Sequence, residues 1–429
     1  MNAAQVVTCA GPDRARKGSE MRDAGILKNA AVAVSGGRIA AIGAARDLEP
    51  AFTDAEIIDC RGGVLTPGLV DSHTHAVFGK PRFEEQELRA EGHDYMEIAA
   101  RGGGIHSSVR DFREHTEDEL YDLAVPRLRS LASYGTTTVE IKSGYGLSVD
   151  DELKALRVIG RLAASTPMRV VATWLGAHEI PHDYRASDSR RSEFLELLVN
   201  DMLPKIREQG IARFADVFCE PGVFTIDETR RILEAARKSG LGLKIHADEL
   251  KPCGGAELAA SLNAVSADHL AAISETGIAA LAKSDTVATL LPGTMLFLGK
   301  AKHAPAKALI EAGAAVALAT DFNPGTSPTV NFPLMLTLGV SQLRMSVAEV
   351  LVAATVNGAA ALGLAGETGQ IAPGFAADLA LFQIGDVREL PYWYGARLCV
   401  GTWKAAAPCH AYETGSMLNS RLPEASTPG

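Results

Sequence analysis

Several features that would point to other classes of protein are missing from this sequence. The six cysteines are scattered and form no CxxC pair, which is typical of reduced thiols in a cytoplasm and argues against a disulfide framework or thiolate-held zinc. No stretch reaches the roughly 18 to 20 apolar residues that a membrane-spanning helix needs. Residues 1–23 mix both charges and contain no apolar run of signal-peptide length. We therefore expect a cytoplasmic protein that does not cross a membrane.

A basic excess is also missing. The chain has 42 lysines and arginines against 52 acidic residues, a formal net charge of -10, whereas binding to nucleic-acid phosphates needs a clustered basic face. This balance excludes a nucleic-acid partner but not an anionic small molecule, because one buried arginine can reverse the local field. With 429 residues, 47% of them hydrophobic, the chain exceeds one ordinary domain, and we expect a large domain with a smaller companion.

The middle of the chain alternates strand-like apolar runs with helical stretches. After Pro67-Gly68, such runs begin at Leu69–Asp71 and recur as far as Ala315–Ala319, with amphipathic segments such as Asp227–Ser239 between them. Roughly eight strands, each followed by a helix, predict an α/β fold, a (β/α)8 TIM-like barrel. An open doubly wound sheet is the alternative, but no GxGxxG follows the first strand. Gly102–Gly104 fit a mobile substrate loop better than a phosphate cradle.

The two ends of the chain predict short strands instead. Val32–Ser35 and Arg38–Gly43 flank a Gly-Gly turn signal, and Ile57–Cys60 has the composition of a further strand. Strand-like residues return in Gly369–Phe382. We therefore predict a small β-sandwich domain formed by residues 1–66 and 369–429, around a barrel of residues 67–368. The tail from about Lys404 lacks periodicity, and we expect it to be loosely ordered.

His73 and His75 form the sharpest local signal. Residues two apart on a strand point to the same face, so both imidazoles could address one cation. Imidazole is a good ligand for divalent zinc, iron, nickel or manganese. The alternative is a pair of polar residues at a solvated strand end, and this pair alone does not decide between the two.

Four further polar residues stand at the ends of predicted strands, namely His178, His246, His269 and Asp321. Each one alone fits a satisfied core histidine or a helix-capping aspartate better than a catalytic group. Together they are hard to assign to packing, because the carboxyl ends of all barrel strands converge on one mouth, where barrel enzymes keep their catalytic residues. The set as a whole predicts a mononuclear catalytic metal site.

These motifs resemble the amidohydrolase superfamily, and most closely its imidazolonepropionase family of histidine degradation. The resemblance covers most of residues 64–370. It rests on His73-Thr-His75 with Arg82, Arg101-Gly-Gly-Gly-Ile105, the VEIKSGYGL run of Val139–Leu147, Leu175–His178, His246–Glu249, Gly254–Ala259, Ser266–His269 and Ala319–Thr326. It implies a homodimeric hydrolase that opens the ring amide of 4-imidazolone-5-propanoate to give N-formimidoyl-L-glutamate.

The resemblance also implies a ligand set. His73, His75, His246 and Asp321 would hold one divalent or trivalent metal ion, zinc or iron, and the sequence does not decide between the two metals. Three imidazoles and one carboxylate leave open positions on the ion. An ion of this kind polarises a carbonyl group and lowers the pKa of water toward neutrality.

Catalytic roles follow by the same resemblance. Glu249 would take the proton of the attacking water and pass it to the departing ring nitrogen. His269 is the competing base, or a donor that stabilises the developing oxyanion. His178 would bind the imidazolone ring or its carbonyl. The choice between Glu249 and His269 as main base stays open at this point.

The remaining implied contacts concern the substrate. Arg82 would clamp the propionate, since a planar guanidinium suits bidentate binding of a carboxylate. Tyr145 would donate its hydroxyl group, and Tyr95 is a weaker candidate. The residues expected to offer donors just after the last metal ligand are Asn323, Gly325 and Thr326.

Two other functions share parts of this pattern. A different amidohydrolase, such as a cyclic amidase or a nucleobase deaminase, would keep the metal site but not the Arg82 and Tyr145 pocket. A metal-holding binding protein without activity would need neither Glu249 nor His269. Lys142 could be mistaken for the carbamylated lysine of a binuclear centre, but the closer family resemblance implies one metal.

Overall fold

The computed structural model of the chain describes residues 1–93, 97 and 102–410. Tyr95, Arg101 and the predicted tail beyond His410 lie outside the described residues. Within them, no helix is both long enough and apolar enough to span a bilayer.

Fifteen strands form two sheets in the described part of the chain. The first sheet is mixed and combines both ends of the chain: β1 (Ala3–Val7), β2 (Ile26–Ser35), β3 (Arg38–Gly43), β4 (Val64–Pro67), β13 (Leu379–Phe382), β14 (Cys399–Lys404) and β15 (Ala407–His410). The second sheet is parallel: β5 (Leu69–Asp71), β6 (Thr136–Lys142), β7 (Arg169–Ala177), β8 (Phe214–Cys219), β9 (Gly242–Ala247), β10 (Ser266–His269), β11 (Val287–Leu290) and β12 (Val316–Leu318). The predicted barrel and the separate sheet from the two termini are both confirmed.

Helices connect these strands. They are α1 (Ala45–Leu48), α2 (Phe83–Ala90), α3 (Ile105–Glu114), α4 (Glu117–Ala132), α5 (Val149–Ser165), α6 (Asp188–Glu196), α7 (Leu203–Gln209), α8 (Ile226–Lys238), α9 (Gly255–Ser261), α10 (Glu275–Ala282), α11 (Pro292–Phe297), α12 (Ala306–Ala312), α13 (Phe332–Ser341), α14 (Val347–Ala353), α15 (Val356–Ala360) and α16 (Glu389–Tyr392). Short 3-10 turns lie at Gly18–Arg22, Glu49–Ala51 and His182–Tyr184, and a π-helical segment lies at Leu197–Met202.

The local sequence explains where several helices begin. Thr116 caps α4 and Thr225 caps α8, each in a capping box with a glutamate three residues later. In the barrel strands, apolar and polar residues alternate, and this alternation decides which side of the strand each side chain faces. Val139 and Ile141 of β6 belong to the apolar core shared with the helices, whereas Glu140, between them, makes polar contacts with other barrel strands.

The barrel closes where the sequence places its histidine pair. Strands β5 to β12 pair in chain order, and the seam between the first and the last is closed beyond their ends. The Asp321 amide donates to the His73 carbonyl oxygen at 3.0 Å, and the His75 amide donates to the Phe322 carbonyl oxygen at 2.9 Å. Backbone hydrogen bonds therefore fix the two histidines next to Asp321.

Some local predictions were wrong. Ile57–Cys60 is not a strand; its residues have β-forming side chains, but Ile57 and Ile58 are exposed and pair with no sheet. The chain does not become irregular at Lys404, because Ala407–His410 pairs with β14 as an edge strand. Gly102–Gly104 lead directly into α3, with Gly104 at its N-cap, and a mobile substrate loop at these glycines stays a prediction. The domain limits at 66/67 and 368/369 stay a prediction.

Candidate metal centre and substrate pocket

The predicted ligands meet at the carboxyl end of the barrel. His73 and His75 follow β5, His246 lies near the end of β9, and Asp321 follows β12. His269, the last residue of β10, lies beside them. All five side chains are buried, with relative exposures between 0% and 5%. The fold therefore gathers residues that are up to 248 positions apart (from 73 to 321) in one water-poor site.

Distances define the cluster. The ring centroids of His73 and His246 are 4.5 Å apart, and those of His73 and His75 are 5.3 Å apart. Asp321 Oδ1 lies 3.6 Å from His73 Nε2 and 3.5 Å from His75 Nε2. Ligand atoms of His73, His75 and His246 lie within 4.8 Å of one another, and so do those of His73, His269 and Asp321. The cluster thus contains the four predicted ligands, with His269 as a close neighbour.

The polar atoms of this cluster fit a cation. Nε2 of both His73 and His246 is buried and has no hydrogen-bond partner. A buried polar atom left in this state costs about 1–3 kcal/mol, so several converging ones call for a shared partner. Burial also lowers the pKa of His73 and His75 well below the ordinary value, which keeps both rings neutral and their lone pairs available. The protein therefore has a histidine and aspartate group suited to a metal ion.

Backbone conformation contributes to this convergence. Asp321 and His269 have positive φ angles, 53° and 80°, in a region that residues with side chains rarely adopt. Outliers of this kind concentrate at functional sites, where the surrounding structure holds them in place. Asp321 N donates to the His73 carbonyl oxygen at 3.0 Å, and a turn follows His269 at the end of β10.

A carboxylate behind His73 fixes the orientation of its ring, and a second carboxylate lies beside His246 without a hydrogen bond to its ring. Asp268 Oδ2 lies 2.6 Å from His73 Nδ1, and since a carboxylate can only accept, Nδ1 donates and Nε2 keeps its lone pair for a metal. Asp216 Oδ2 lies 3.0 Å from His246 Nδ1. Sequence reasoning missed both aspartates. Asp268 belongs to the Ser266–His269 segment named in the sequence analysis. Because side chains alternate along a strand, its position there could have predicted that it points into the barrel.

Two buried lysines complete the layer beneath the histidines. Lys142 Nζ lies 2.8 Å from Asp216 Oδ2 and 2.8 Å from Glu140 Oε2. Lys244 Nζ lies 2.9 Å from Glu140 Oε1 and donates to a backbone carbonyl oxygen at Ser72. Burial opposes the charge of Lys142, but the surrounding carboxylates raise its pKa. An ammonium group paired in this way gives no support to a carbamylated lysine or to a binuclear centre.

Glu249 and His269 face each other at the rim of the cluster. His269 Nδ1 lies 3.5 Å from Glu249 Oε2. Burial, together with Asp321 and Glu220, raises the pKa of Glu249 to about 8, and burial lowers the pKa of His269 well below its ordinary value. The two predicted proton carriers are therefore neighbours, and they occupy one side of the site.

His178 and Tyr145 lie on another side. The His178 ring stacks on His75 with centroids 5.0 Å apart and planes 15° apart, and the Tyr145 ring is 5.7 Å from His178. Burial and nearby His246 lower the pKa of His178 to about 3. Its Nδ1 donates to the Gly144 carbonyl oxygen at 3.0 Å, so Nε2 is an acceptor. This tautomer suits a ligand N–H group better than a ligand carbonyl.

Arg82 is the residue directly before α2. It lines a cavity of about 240 Å³, whose other walls include Lys80, Glu84, Leu88, Gly103, Ser107 and Asp111. Its charge acts on both Tyr145 and His178. A Cβ atom added to Gly325 would lie only 1.4 Å from Arg82 Nη2, so this glycine leaves the space that the guanidinium group occupies.

The segment after Asp321 is held by its own hydrogen bonds. Asn323 Oδ1 accepts from the amides of Gly325 at 2.8 Å and Thr326 at 2.7 Å. Asn323 Nδ2 donates to the Asp321 carbonyl oxygen at 2.7 Å and to Thr326 Oγ1 at 2.8 Å. Asn323 therefore connects the predicted metal ligand Asp321 with Gly325, the residue next to Arg82. Whether Asn323, Gly325 and Thr326 also contact a substrate stays a prediction.

Known proteins share this architecture. The amidohydrolase family model matches residues 64–404. The solved structure of an adenosine deaminase from Xanthomonas campestris with bound zinc has a TM-score of 0.72 at 19% identity, and covers 96% of this chain and 92% of the other. E. coli guanine deaminase has a TM-score of 0.73 at 16% identity, covering 95% and 99%. At these identities the structures support the fold alone. The chain belongs to the amidohydrolase family.

Sequence relatives narrow the assignment. An imidazolonepropionase from Bacillus velezensis is 47% identical over 380 residues, which is 89% of each chain. One from Alkaliphilus oremlandii is 46% identical over 397 residues, 92% of this chain and 93% of the relative. Within the amidohydrolases, this chain is a member of the imidazolonepropionase family.

The contact between Asp268 and His73 leads to a first prediction. Asp268→Asn removes the negative acceptor that orients the His73 ring, and we expect metal affinity to fall about 10- to 100-fold. Competition with a chelator of known affinity measures this. Asp378→Asn is the matched control, because Asp378 is also fully buried but its carboxylate contacts Thr368 and Arg169 and not the histidine cluster. Unchanged metal affinity in Asp268→Asn would contradict the positioning role.

Proposed function

We propose that this protein hydrolyses the ring amide of 4-imidazolone-5-propanoate to N-formimidoyl-L-glutamate, a step of histidine degradation. The observation that carries the proposal is the position of Arg82, whose charge acts on the pocket of Tyr145 and His178 beside a buried histidine and aspartate cluster. A metal site alone is common to many amidohydrolases, whereas a guanidinium group whose charge acts on this pocket favours a substrate with a carboxylate. A cytoplasmic location and a homodimeric state are proposed from the family resemblance.

One metal ion, zinc or iron, is proposed to bind His73, His75, His246 and Asp321. The unpartnered Nε2 atoms of His73 and His246 support this set, as does the approach of Asp321 Oδ1 to two of the rings. When bound, such an ion supplies Lewis acidity, which polarises a carbonyl oxygen and lowers the pKa of water. Nitrogen and carboxylate ligands of this kind are compatible with both metals.

The chain's own residues orient the substrate in this proposal. The Arg82 guanidinium group binds the propionate through two parallel hydrogen bonds. This anchors the ring toward Tyr145 and His178. Nε2 of His178 then accepts from a ring N–H group, since its Nδ1 is committed to Gly144. Held at both ends, the ring presents its carbonyl group to the histidine cluster, which lowers the entropic cost of attack.

Proton transfer is assigned to the facing pair of Glu249 and His269. Water adds to the ring carbonyl carbon, and the proton that it loses must reach the ring nitrogen before the C–N bond breaks. Glu249 Oε2 lies 3.5 Å from His269 Nδ1 beside the cluster, and a largely buried carboxyl group with a pKa raised to about 8 can take up a proton and release it again near neutral pH, so we assign this shuttle to Glu249. His269, kept neutral by burial, is assigned to stabilise the developing oxyanion.

The proposed reaction is tested by turnover. Purified metal-replete protein should consume 4-imidazolone-5-propanoate catalytically and release N-formimidoyl-L-glutamate, which mass spectrometry identifies. Stoichiometric binding without turnover would instead indicate an inactive binding protein. Hydrolysis of another cyclic amide, or deamination of a nucleobase, without consumption of imidazolonepropionate would overturn the assignment.

The role of Arg82 is tested through its neighbour Gly325. Gly325→Ala places a methyl group where the guanidinium group lies; the nearest atoms are all at the tip of that flexible side chain, so Arg82 moves and the fold remains. We expect the KM for imidazolonepropionate to rise about 10- to 100-fold, the size of a lost charge-assisted interaction. Steady-state kinetics and thermal unfolding measure the two effects.

A double variant supplies the control. If Gly325→Ala acts through Arg82, it should add no further increase in KM when Arg82→Ala is already present. Fully additive effects on KM would show that Gly325 acts independently of the guanidinium group.

A further inference from the structure

Helix α2 carries a buried acid for which the proposed reaction gives no role. Glu85 is 6% exposed, although its helix neighbours Phe83, Glu84 and Glu87 are exposed. A carboxylate is costly to bury unless charged or hydrogen-bonded partners compensate. Its partners therefore indicate what it does.

Two of those partners, Arg82 and Arg89, belong to α2 and its N-cap, and the third, Gly104, stands at the start of α3. Glu85 Oε1 accepts from the Gly104 amide at 2.7 Å and lies 3.4 Å from Arg82 Nε. Its other oxygen, Oε2, accepts from Arg89 Nη2 at 3.3 Å. Arg89 in turn donates through Nη1 to the Gly325 carbonyl oxygen at 3.2 Å. Glu85 thus links the loop after β5, the start of α3 and, through Arg89, the loop after β12.

This arrangement limits the directions that the Arg82 side chain can take. Its Nε lies 3.4 Å from Glu85 Oε1, an ion pair without a hydrogen bond, while Nη2 lies against Gly325 and Nη1 is 3.5 Å from Ser108 Oγ. The guanidinium group is therefore confined at its base and at its tip. A planar group held in this way loses less entropy when it binds a carboxylate.

The charges of the corner also matter. Arg82 and Arg89 contribute two positive charges and Glu85 one negative charge, so these three side chains leave one net positive charge in a protein whose formal net charge is -10. Lys80, Glu84 and Asp111 also line the cavity, so this positive excess belongs to the Arg82, Arg89 and Glu85 group and not to the cavity as a whole. Without Glu85, Arg82 would lose the negative charge 3.4 Å from its Nε, and Arg89 would lose the carboxylate 3.3 Å from its Nη2.

We propose that Glu85 is a positioning residue: it holds the Arg82 fork in the orientation that binds a substrate carboxylate, and so sets the preference for an acid over its neutral amide. This inference rests on the proposed function, in which Arg82 binds the propionate. Glu85 touches no reacting atom, and its effect is expected in substrate binding and not in the chemical step.

Kinetics of Glu85→Gln give the first test. Glutamine keeps the size of the side chain and an oxygen that can accept from Gly104, but removes the charge that holds Arg82. The KM for imidazolonepropionate should rise about 10-fold, with kcat within about 3-fold and metal content unchanged. Glu87→Gln, an exposed acid on the same helix, is the control and should leave both parameters unchanged. A fall in kcat with unchanged KM would overturn the proposal.

A second measurement separates positioning from general support of the fold. Calorimetry compares the binding of imidazole-4-propanoate with that of imidazole-4-propanamide, which lacks only the charge. Glu85→Gln should reduce the preference for the acid about 10-fold and leave binding of the amide nearly unchanged. Equal weakening of both ligands, or an unchanged preference, would contradict the proposal. If Glu85→Gln does not fold, Glu85→Asp, which keeps the charge but shortens the reach to Arg82, should reduce the preference in the same direction.

The binding measurement also keeps the two hypotheses distinguishable. Absence of imidazolonepropionate turnover by the unaltered protein would overturn the proposed function, whatever Glu85→Gln does. Normal turnover by the unaltered protein, with an unchanged acid preference in Glu85→Gln, would overturn only the role of Glu85.

Discussion

Two backbone hydrogen bonds close the barrel, and the site depends on them. They join Asp321 N to the His73 carbonyl oxygen and His75 N to the Phe322 carbonyl oxygen, across the seam between the first and last strands. Thr320 adds a side-chain contact at the same seam, because its hydroxyl group donates to Asp71 Oδ2 at 2.7 Å. Ligands from opposite ends of the barrel sequence thereby become neighbours without a flexible loop between them. The seam is at once a structural closure and the frame of the metal centre.

The buried charges beneath the histidines complement a cation. Lys142 and Lys244 stand against Glu140, Asp216 and Asp268, so that this layer carries one net negative charge when all five side chains are ionised. The carboxylate of Asp321, among the histidines, adds a second negative charge to that of this layer. Isolated buried charges are costly, and even paired ones seldom stabilise a fold more than apolar residues would. Two negative charges around three neutral imidazoles match a divalent ion, which gives this costly arrangement a functional reason.

Part of the fold and of the metal site could be predicted from the sequence. Strand period two placed His73 and His75 on one face, and the rule that barrel strands end at one mouth brought His246 and Asp321 to them. The role of Asp268 could not be predicted, because its partner His73 lies 195 residues away in the sequence. A local sequence pattern does not indicate contacts between residues so far apart. From the sequence, Glu85 would be a solvent-exposed acid in the first turn of a helix. Its burial results from tertiary packing, which the local sequence does not show. Conversely, the β-forming side chains of Ile57–Cys60 found no partner strand, and without cross-strand pairing such residues do not form a sheet.

The central claim is that one metal ion joins both sides of the barrel seam. Anomalous diffraction from crystals of the metal-loaded protein tests it most directly. We expect one anomalous peak per chain, within bonding distance of the imidazole nitrogens of His73, His75 and His246 and of a carboxylate oxygen of Asp321, with Lys142 unmodified. Two peaks bridged by a modified Lys142, or a single ion bound away from Asp321, would contradict it.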